Sequence, residues 1–183
     1  RRQEHGLPGG VRALFGLRLV QLRSSVKAKN DVELQGAMSA VVSKAKAVWE
    51  GDLFHGKGAV SFDSGALPTR EVTWAARSSK VPGMTSPEEL LAAAHASCFA
   101  MALSNILAKE GKPASYLEVS AEAHFAKTDE GFRVTQMNIN VVGSVPGMDE
   151  AGFEKAASAA GEGCPISKAL KGNVKINVLA KLA

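Results

Sequence analysis

Two thiols carry most of the chemistry that residue type and spacing allow. Cys98 lies in AHASCFAMAL, and Cys164 lies in GCPIS, 66 residues further on. A thiolate attacks electrophiles and leaves readily from disulfides, whereas a protonated thiol does neither well. Cys164 stands just before Pro165, at the expected N-cap of a short helix. There the helix dipole and free backbone N–H groups lower a thiol's pKa. The plainer reading of Cys164 is a small N-cap substitute, and that of Cys98 is a small buried hydrophobe. His95 precedes Cys98 by three residues, on the same face of a helix. It is a candidate base, or half a metal site with Cys98, but two ligands do not make a site and no others stand near in sequence. Glu88 reads first as a capping carboxylate in the opening turn of that helix. Arg70 and Arg77 lie on or beside an expected strand and read first as surface charges.

The elements that would position these groups can be read from periodicity and punctuation. KAKAVWEGDLFHGKGAVSFDSG reads as two strands around a Gly-containing turn, with EVTWAARSS as a third. KVPGMTS is a loop. Ser86 is then a good N-cap, Pro87 suits the first helical position, and Glu89 completes a capping box. The helix should run to about Glu110 and stop at Gly111. Its body, from Leu90 to Leu107, is apolar nearly all round, which predicts burial on every side. A domain of this size struggles to bury such a helix alone, and a partner subunit would solve the problem. YLEVSAEAHFAK and RVTQMNINVVG alternate as a hairpin, DEAGFEKAASAAGEG and CPISKALKG read as helices, and VKINVLAKL closes with a strand. This order predicts an α+β fold with an antiparallel sheet packed on a long buried central helix.

The chain has 183 residues, of which 45% are hydrophobic and 22% charged, as in an ordinary globular protein. Two cysteines are too few for a disulfide scaffold, there is no Cys-x-x-Cys, and a cytosolic setting with transient disulfides is expected. No membrane span is expected: Ser86–Ile106 comes nearest, with Glu88 and Glu89 in its first turn. The net charge of +4 belongs entirely to residues 1–37, where Arg1, Arg2, Arg12, Arg18, Arg23, Lys27 and Lys29 face only Glu4, Asp31 and Glu33. Arg12 and Arg18 break the apolar stretch that a secretory signal would need, and the acidic residues count against a transit peptide. Leu14, Leu17 and Leu22 are partly compatible with one face of an amphipathic helix. The preferred reading makes 1–37 an N-terminal extension and 38–183 the domain. A nucleic-acid binder would rest on this basic segment alone, and none is expected.

PEELLAAAHASCFAMAL, the later GCPISKAL and the opening WEGDLFHGKGAVSFDSG together resemble the OsmC/Ohr family of osmotically inducible and organic hydroperoxide resistance proteins. The resemblance runs from about Lys44 to Ala180, and the wording is more similar to the OsmC branch. It implies a cysteine-based peroxidase working as an intertwined homodimer with two active sites at the interface. Cys98 then matches the peroxidatic cysteine, Cys164 the resolving cysteine and Glu88 the catalytic glutamate. Arg77 is the better match for the family's arginine, on the strand before the loop, and Arg70 the weaker one.

The implied cycle needs no metal or dissociable cofactor. Cys98 takes an oxygen from an organic hydroperoxide, Cys164 closes a disulfide, and an external dithiol of the lipoyl type reopens it. Burial raises a thiol's pKa, so Cys98 needs a cation such as Arg77, held by Glu88. Ten residues of helix place Glu88 about 15 Å from its own Cys98. The resemblance therefore implies composite sites, with Arg77 and Glu88 supplied by the opposite subunit. The alternative is a non-catalytic dimeric module that binds a small apolar ligand with both cysteines inert.

Overall fold

A computed structural model describes residues 41–79 and 81–183. The expected extension over 1–37 and its amphipathic helix lie outside the described residues.

The first three strands form an antiparallel sheet in the order β1-β2-β3, with β1 at Ala45–Glu50, β2 at Lys57–Phe62 and β3 at Arg70–Thr73. Asp52 shapes the β1–β2 turn by accepting the N–H groups of Phe54 and His55 at 2.8 and 3.0 Å. Every residue of β1 is exposed within the chain. EVTWAARSS is not one strand. β3 ends at Thr73, whose hydroxyl accepts the Ala76 N–H at 3.1 Å, and Trp74–Ser79 form a short helix, α1. A threonine able to cap, with Ala75 and Ala76 in the turn that follows, favours a helix start over strand continuation.

Helix α2, Pro87–Lys109, begins and ends as expected. Ser86 Oγ accepts the Glu89 N–H at 3.1 Å. The Glu89 carboxylate does not return to Ser86; it takes the Thr85 hydroxyl at 2.6 Å instead. At the other end Gly111 adopts φ +71°, and Lys112 N–H reaches the Leu107 carbonyl at 3.0 Å, a closure that suits glycine.

Burial on every side is not what the chain achieves. Phe99, Leu103 and Leu107 are wholly buried, but a stripe through Ala94, Ser97, Met101 and Ala108 is exposed, Met101 to 68%. Although no membrane span was expected, residues 90–108 carry no Asp, Glu, Lys or Arg, and α2 is long and apolar enough to cross a membrane by length and composition. Its buried face nevertheless packs within the protein, against the second sheet and the helices that follow.

That sheet has the order β4-β5-β6, with β4 at Tyr116–Thr128, β5 at Gly131–Ser144 and β6 at Lys175–Leu182. β4 and β5 pair antiparallel, with a bulge at His124/Phe125. β6 runs parallel to β5, Asn138 facing Asn177, so the sheet is not antiparallel throughout. A parallel neighbour requires a crossover, and α3 (Glu150–Gly163) with α4 (Pro165–Leu170) supplies it. Ile139 and Val141 of β5 point into a core shared with Phe153, Ala156, Ala157 and Ala160 of α3, while Met137 packs with Ala92 of α2 and Val174. Gly143 makes room for this packing: a Cβ there would lie 2.5 Å from the Phe153 ring.

An aromatic cluster ties the first sheet to the second. Trp74 meets Phe54 and Phe132 edge-on at 5.7 and 5.1 Å, and Phe125 stacks on Phe132 at 5.4 Å.

Candidate active site

Pro165 explains where Cys164 lies. The residue before a proline is pushed out of the helical region, and Cys164 accordingly takes φ −60°, ψ 124°. It is at once the C-cap of α3 and the N-cap of α4. Its N–H donates to the Ala160 carbonyl at 2.8 Å, and its carbonyl accepts the Lys168 N–H at 3.0 Å. The corner turns the side chain inward, where it is completely buried.

Cys98 meets it from α2. The two Sγ atoms are 3.1 Å apart, and both thiols are free. A disulfide bond is about 2.05 Å long, so bonding needs only about 1 Å of approach. Cys98 is partly exposed and Cys164 is not, so a solute meets Cys98 first.

Their protonation differs. Burial pushes the Cys98 thiol up; the Ile166 N–H opposes this, while the hydrogen bond and charge of Cys164 add to it. Burial also pushes Cys164 up. The Ser167 N–H, the Cys98 thiol, the Ser167 hydroxyl and the Ile166 N–H together outweigh burial and leave Cys164 below the ordinary thiol value. The negative charge of the pair therefore favours Cys164 in the chain by itself. Arg77 is not among the groups acting on Cys98.

Arg77 and Glu88 form a second pair. Arg77 donates from Nε at 2.9 Å and Nη2 at 2.7 Å, both to Glu88 Oε1. Glu88 is 7% exposed, and its Oε2 is buried without a partner. The Arg77 guanidinium also lies over the Phe125 ring, 4.2 Å from its centroid. Arg77 sits on α1, not on the strand where the resemblance placed it. Arg70 opens β3, is exposed, and carries no ion pair among the described residues. The structure thus joins Cys98 to Cys164 and Arg77 to Glu88, but among the described residues it brings no cation to Cys98.

His95 is fully buried, and its Nε2 lies 2.8 Å from the Ser167 hydroxyl. Sequence reasoning singled out His95 as a base or half-ligand and overlooked Ser167. The usable signal was position: Ser167 is three residues after the Cys164 N-cap, where a side chain turns back toward the cap. The aromatic floor under Arg77 was also overlooked, because alternation puts Phe125 on the inner face without showing what shares that face. Among the described residues no cluster of three or more His, Cys, Asp or Glu has the arrangement of a metal site.

Two free thiols in contact, one reachable and one enclosed, are an arrangement able to cycle between dithiol and disulfide. The OsmC-like protein family model matches residues 80–179. Peroxiredoxin OsmC of Escherichia coli (strain K12) is 38% identical over 138 residues, covering 75% of this chain and 96% of the relative. Organic hydroperoxide resistance protein OhrB of Bacillus subtilis (strain 168) is 32% identical over 126 residues, covering 68% and 89%. Among solved structures, an OsmC organic hydroperoxide resistance protein from Legionella pneumophila superposes with a TM-score of 0.65 at 23% identity, covering 79% of this chain and 99% of that one. OhrB of Bacillus subtilis superposes at 0.57 with 26% identity, covering 75% and 97%. The class is therefore that of the cysteine-based peroxidases. Within it, this chain belongs to the OsmC-like family.

Proposed function

We propose that Cys98 is the peroxidatic thiol and Cys164 the resolving thiol of a cycle that reduces organic hydroperoxides. The observation that carries this reading is the 3.1 Å contact between the two sulfurs, one of them accessible and the other enclosed. The Cys98 thiolate attacks the distal peroxide oxygen, the O–O bond breaks, and the alkoxide leaves as the alcohol after taking a proton. The Cys98 sulfenic acid then condenses with Cys164, forming an S–S bond and releasing water. A dithiol of the lipoyl type reduces the disulfide by exchange and is itself oxidised. The apolar side chains packed around Cys98 suit an organic peroxide better than hydrogen peroxide. A cytosolic setting would keep both thiols reduced between turnovers.

Burial leaves Cys98 needing a cation, and the described residues of its own chain do not offer one. A homodimer with antiparallel α2 helices would bring Arg77 and Glu88 of the opposite subunit to it. Three features support this arrangement: the exposed stripe on α2 around Met101, the exposed strand β1 and the unpartnered Oε2 of Glu88.

The test counts free thiols per chain before and after one equivalent of cumene hydroperoxide. A fall from two to none, reversed by dihydrolipoamide and absent in Cys98→Ser, is the expected result. Two thiols that persist for minutes would overturn it in favour of inert cysteines.

A further inference from the structure

An irregularity in β5 decides what surrounds Phe125. Met137, Ile139 and Val141 are buried, and strict alternation would send Val134 and Phe132 to the other side of the sheet, with Gln136 and Asn138. The register slips instead. His124 faces Gln136 but Phe125 faces Val134, so Thr135 has no partner on β4. Its hydroxyl donates to the His124 carbonyl at 3.3 Å across the slip. One extra residue reverses the parity of the strand and re-aims the side chains beyond it. Val134 then packs on the cluster of Met137, Ala92 and Val174. Phe132 stacks on Phe125, with centroids 5.4 Å apart and planes 15° from parallel.

Helix α1 closes on the same ring. Trp74 and Arg77 stand three residues apart, on one face of that helix. Trp74 meets Phe125 edge-on at 6.3 Å, and the Arg77 guanidinium lies over the ring at 4.2 Å. Phe125 is therefore held by Phe132 from its own sheet and covered by both α1 side chains.

Glu88 does not finish the task of holding Arg77. A carboxylate that answers a guanidinium with both oxygens makes two parallel bonds, which fix the plane of the fork. Glu88 uses Oε1 alone, accepting from Nε at 2.9 Å and Nη2 at 2.7 Å. Both bonds converge on one atom, and the fork can tilt about it. Glu88 sets the direction in which Arg77 points but not the tilt of its plane. The negative face of an aromatic ring attracts a cation and supplies the missing constraint.

We propose that Phe125 is a positioning residue: its π face sets the tilt of the Arg77 guanidinium, and so the aim of Nη1, which makes no hydrogen bond among the described residues. The proposal rests on the cycle above for what Arg77 does to a peroxide, and on geometry alone for how Arg77 is held. The Arg77 side chain is 33% exposed, so a solute can reach it. A donor already aimed needs no reorganisation when charge develops on the departing oxygen.

The test replaces Phe125 with phenylalanines carrying one, two or three ring fluorines, and separately makes Phe125→Leu. Fluorines keep the outline of the ring and weaken its negative face stepwise. Peroxide-driven loss of the Cys98 thiol, followed by stopped flow with cumene hydroperoxide, should slow along the fluorine series and by about tenfold in Phe125→Leu. A packing role alone would not give that order, because an electron-poor ring stacks at least as well on Phe132.

A second readout needs no peroxide. Heteronuclear NMR of the arginine side chains gives the rate of rotation about Nε–Cζ, which a held fork keeps slow. Rotation in Arg77 should quicken along the same series. Rotation that stays as slow as in the wild type throughout overturns the proposal, whatever the activity. Rotation that quickens while the oxidation rate stays level upholds the role of Phe125 and removes Arg77 from the peroxidase cycle instead. If Phe125→Leu does not fold, the fluorinated rings, which fit the same space, decide.

Discussion

Arg77 spends two hydrogen bonds on a single oxygen of Glu88, at 2.9 and 2.7 Å, and leaves the other carboxylate oxygen buried and bare. The pair holds the guanidinium over the Phe125 ring, 4.2 Å from its centroid, and fixes its direction. A cation fixed this way costs no reorganisation when charge develops on a departing oxygen. Arg77→Ala should slow peroxide-driven loss of the Cys98 thiol by about a hundredfold. Arg77→Lys should recover only part of that, because an ammonium cannot reproduce the planar fork. Stopped-flow thiol oxidation measures both, and a Lys variant equal to wild type would show that orientation is unimportant.

The same pair tests the composite site. Chains carrying Cys98→Ser are mixed with chains carrying Glu88→Ala, refolded together and assayed. One working site per mixed dimer is expected, since one subunit retains Cys98 and the other retains Glu88. No recovery would place both residues of a site in one chain.

Met101 is 68% exposed at the middle of an apolar helix. Met101→Glu should weaken self-association at least tenfold, because a carboxylate would have to be desolvated at the contact. Sedimentation equilibrium gives the dissociation constant. An unchanged constant would remove this face of α2 from the interface.

Cys164→Ser should still lose its Cys98 thiol to the first equivalent of peroxide. Without a resolving thiol the sulfenic acid persists, and excess peroxide carries it to the irreversible sulfinic and sulfonic acids. Mass spectrometry would show the added oxygens on the peptide carrying Cys98, while wild type shows a disulfide.

Gly143 faces the Phe153 ring so closely that a methyl group would sit 2.5 Å from it. Gly143→Ala should destabilise the fold by about 1–3 kcal/mol through overpacking. Urea denaturation measures the cost, and Phe153→Leu in the same chain should relieve part of it.

His95 adds a pH dependence to stability. Its folded pKa lies below the free value of 6.5 because the ring is buried. The unfolded chain therefore takes up a proton first as pH falls. The stability is fully present above about 6.5 and is lost as pH drops through the folded value. His95→Gln should flatten this part of the curve in urea midpoints taken across that range.

The two ends of α2 were legible because Ser86, Pro87 and Gly111 act through their own backbone, within a few residues. The alternation of Leu117, Val119, Ala121 and Ala123 was legible for the same reason: a strand's period needs no partner to be read. The boundary between β3 and α1 was not, since Thr73 can extend a strand or cap a helix and only its surroundings choose. The parallel placement of β6 also escaped, because strand direction depends on how α3 and α4 cross back over the sheet.

Sequence by itself determined that a cysteine would stand at a helix corner before Pro165 and another in the middle of a long apolar helix. Both follow from local backbone rules. Tertiary structure alone decided that the two sulfurs meet at 3.1 Å across 66 residues, that His95 meets Ser167 across 72, and that Arg77 turns to Glu88 rather than to Cys98 within the chain. Contacts of that kind depend on how separate elements pack, and packing is a property of the whole core, which no single stretch of residues contains.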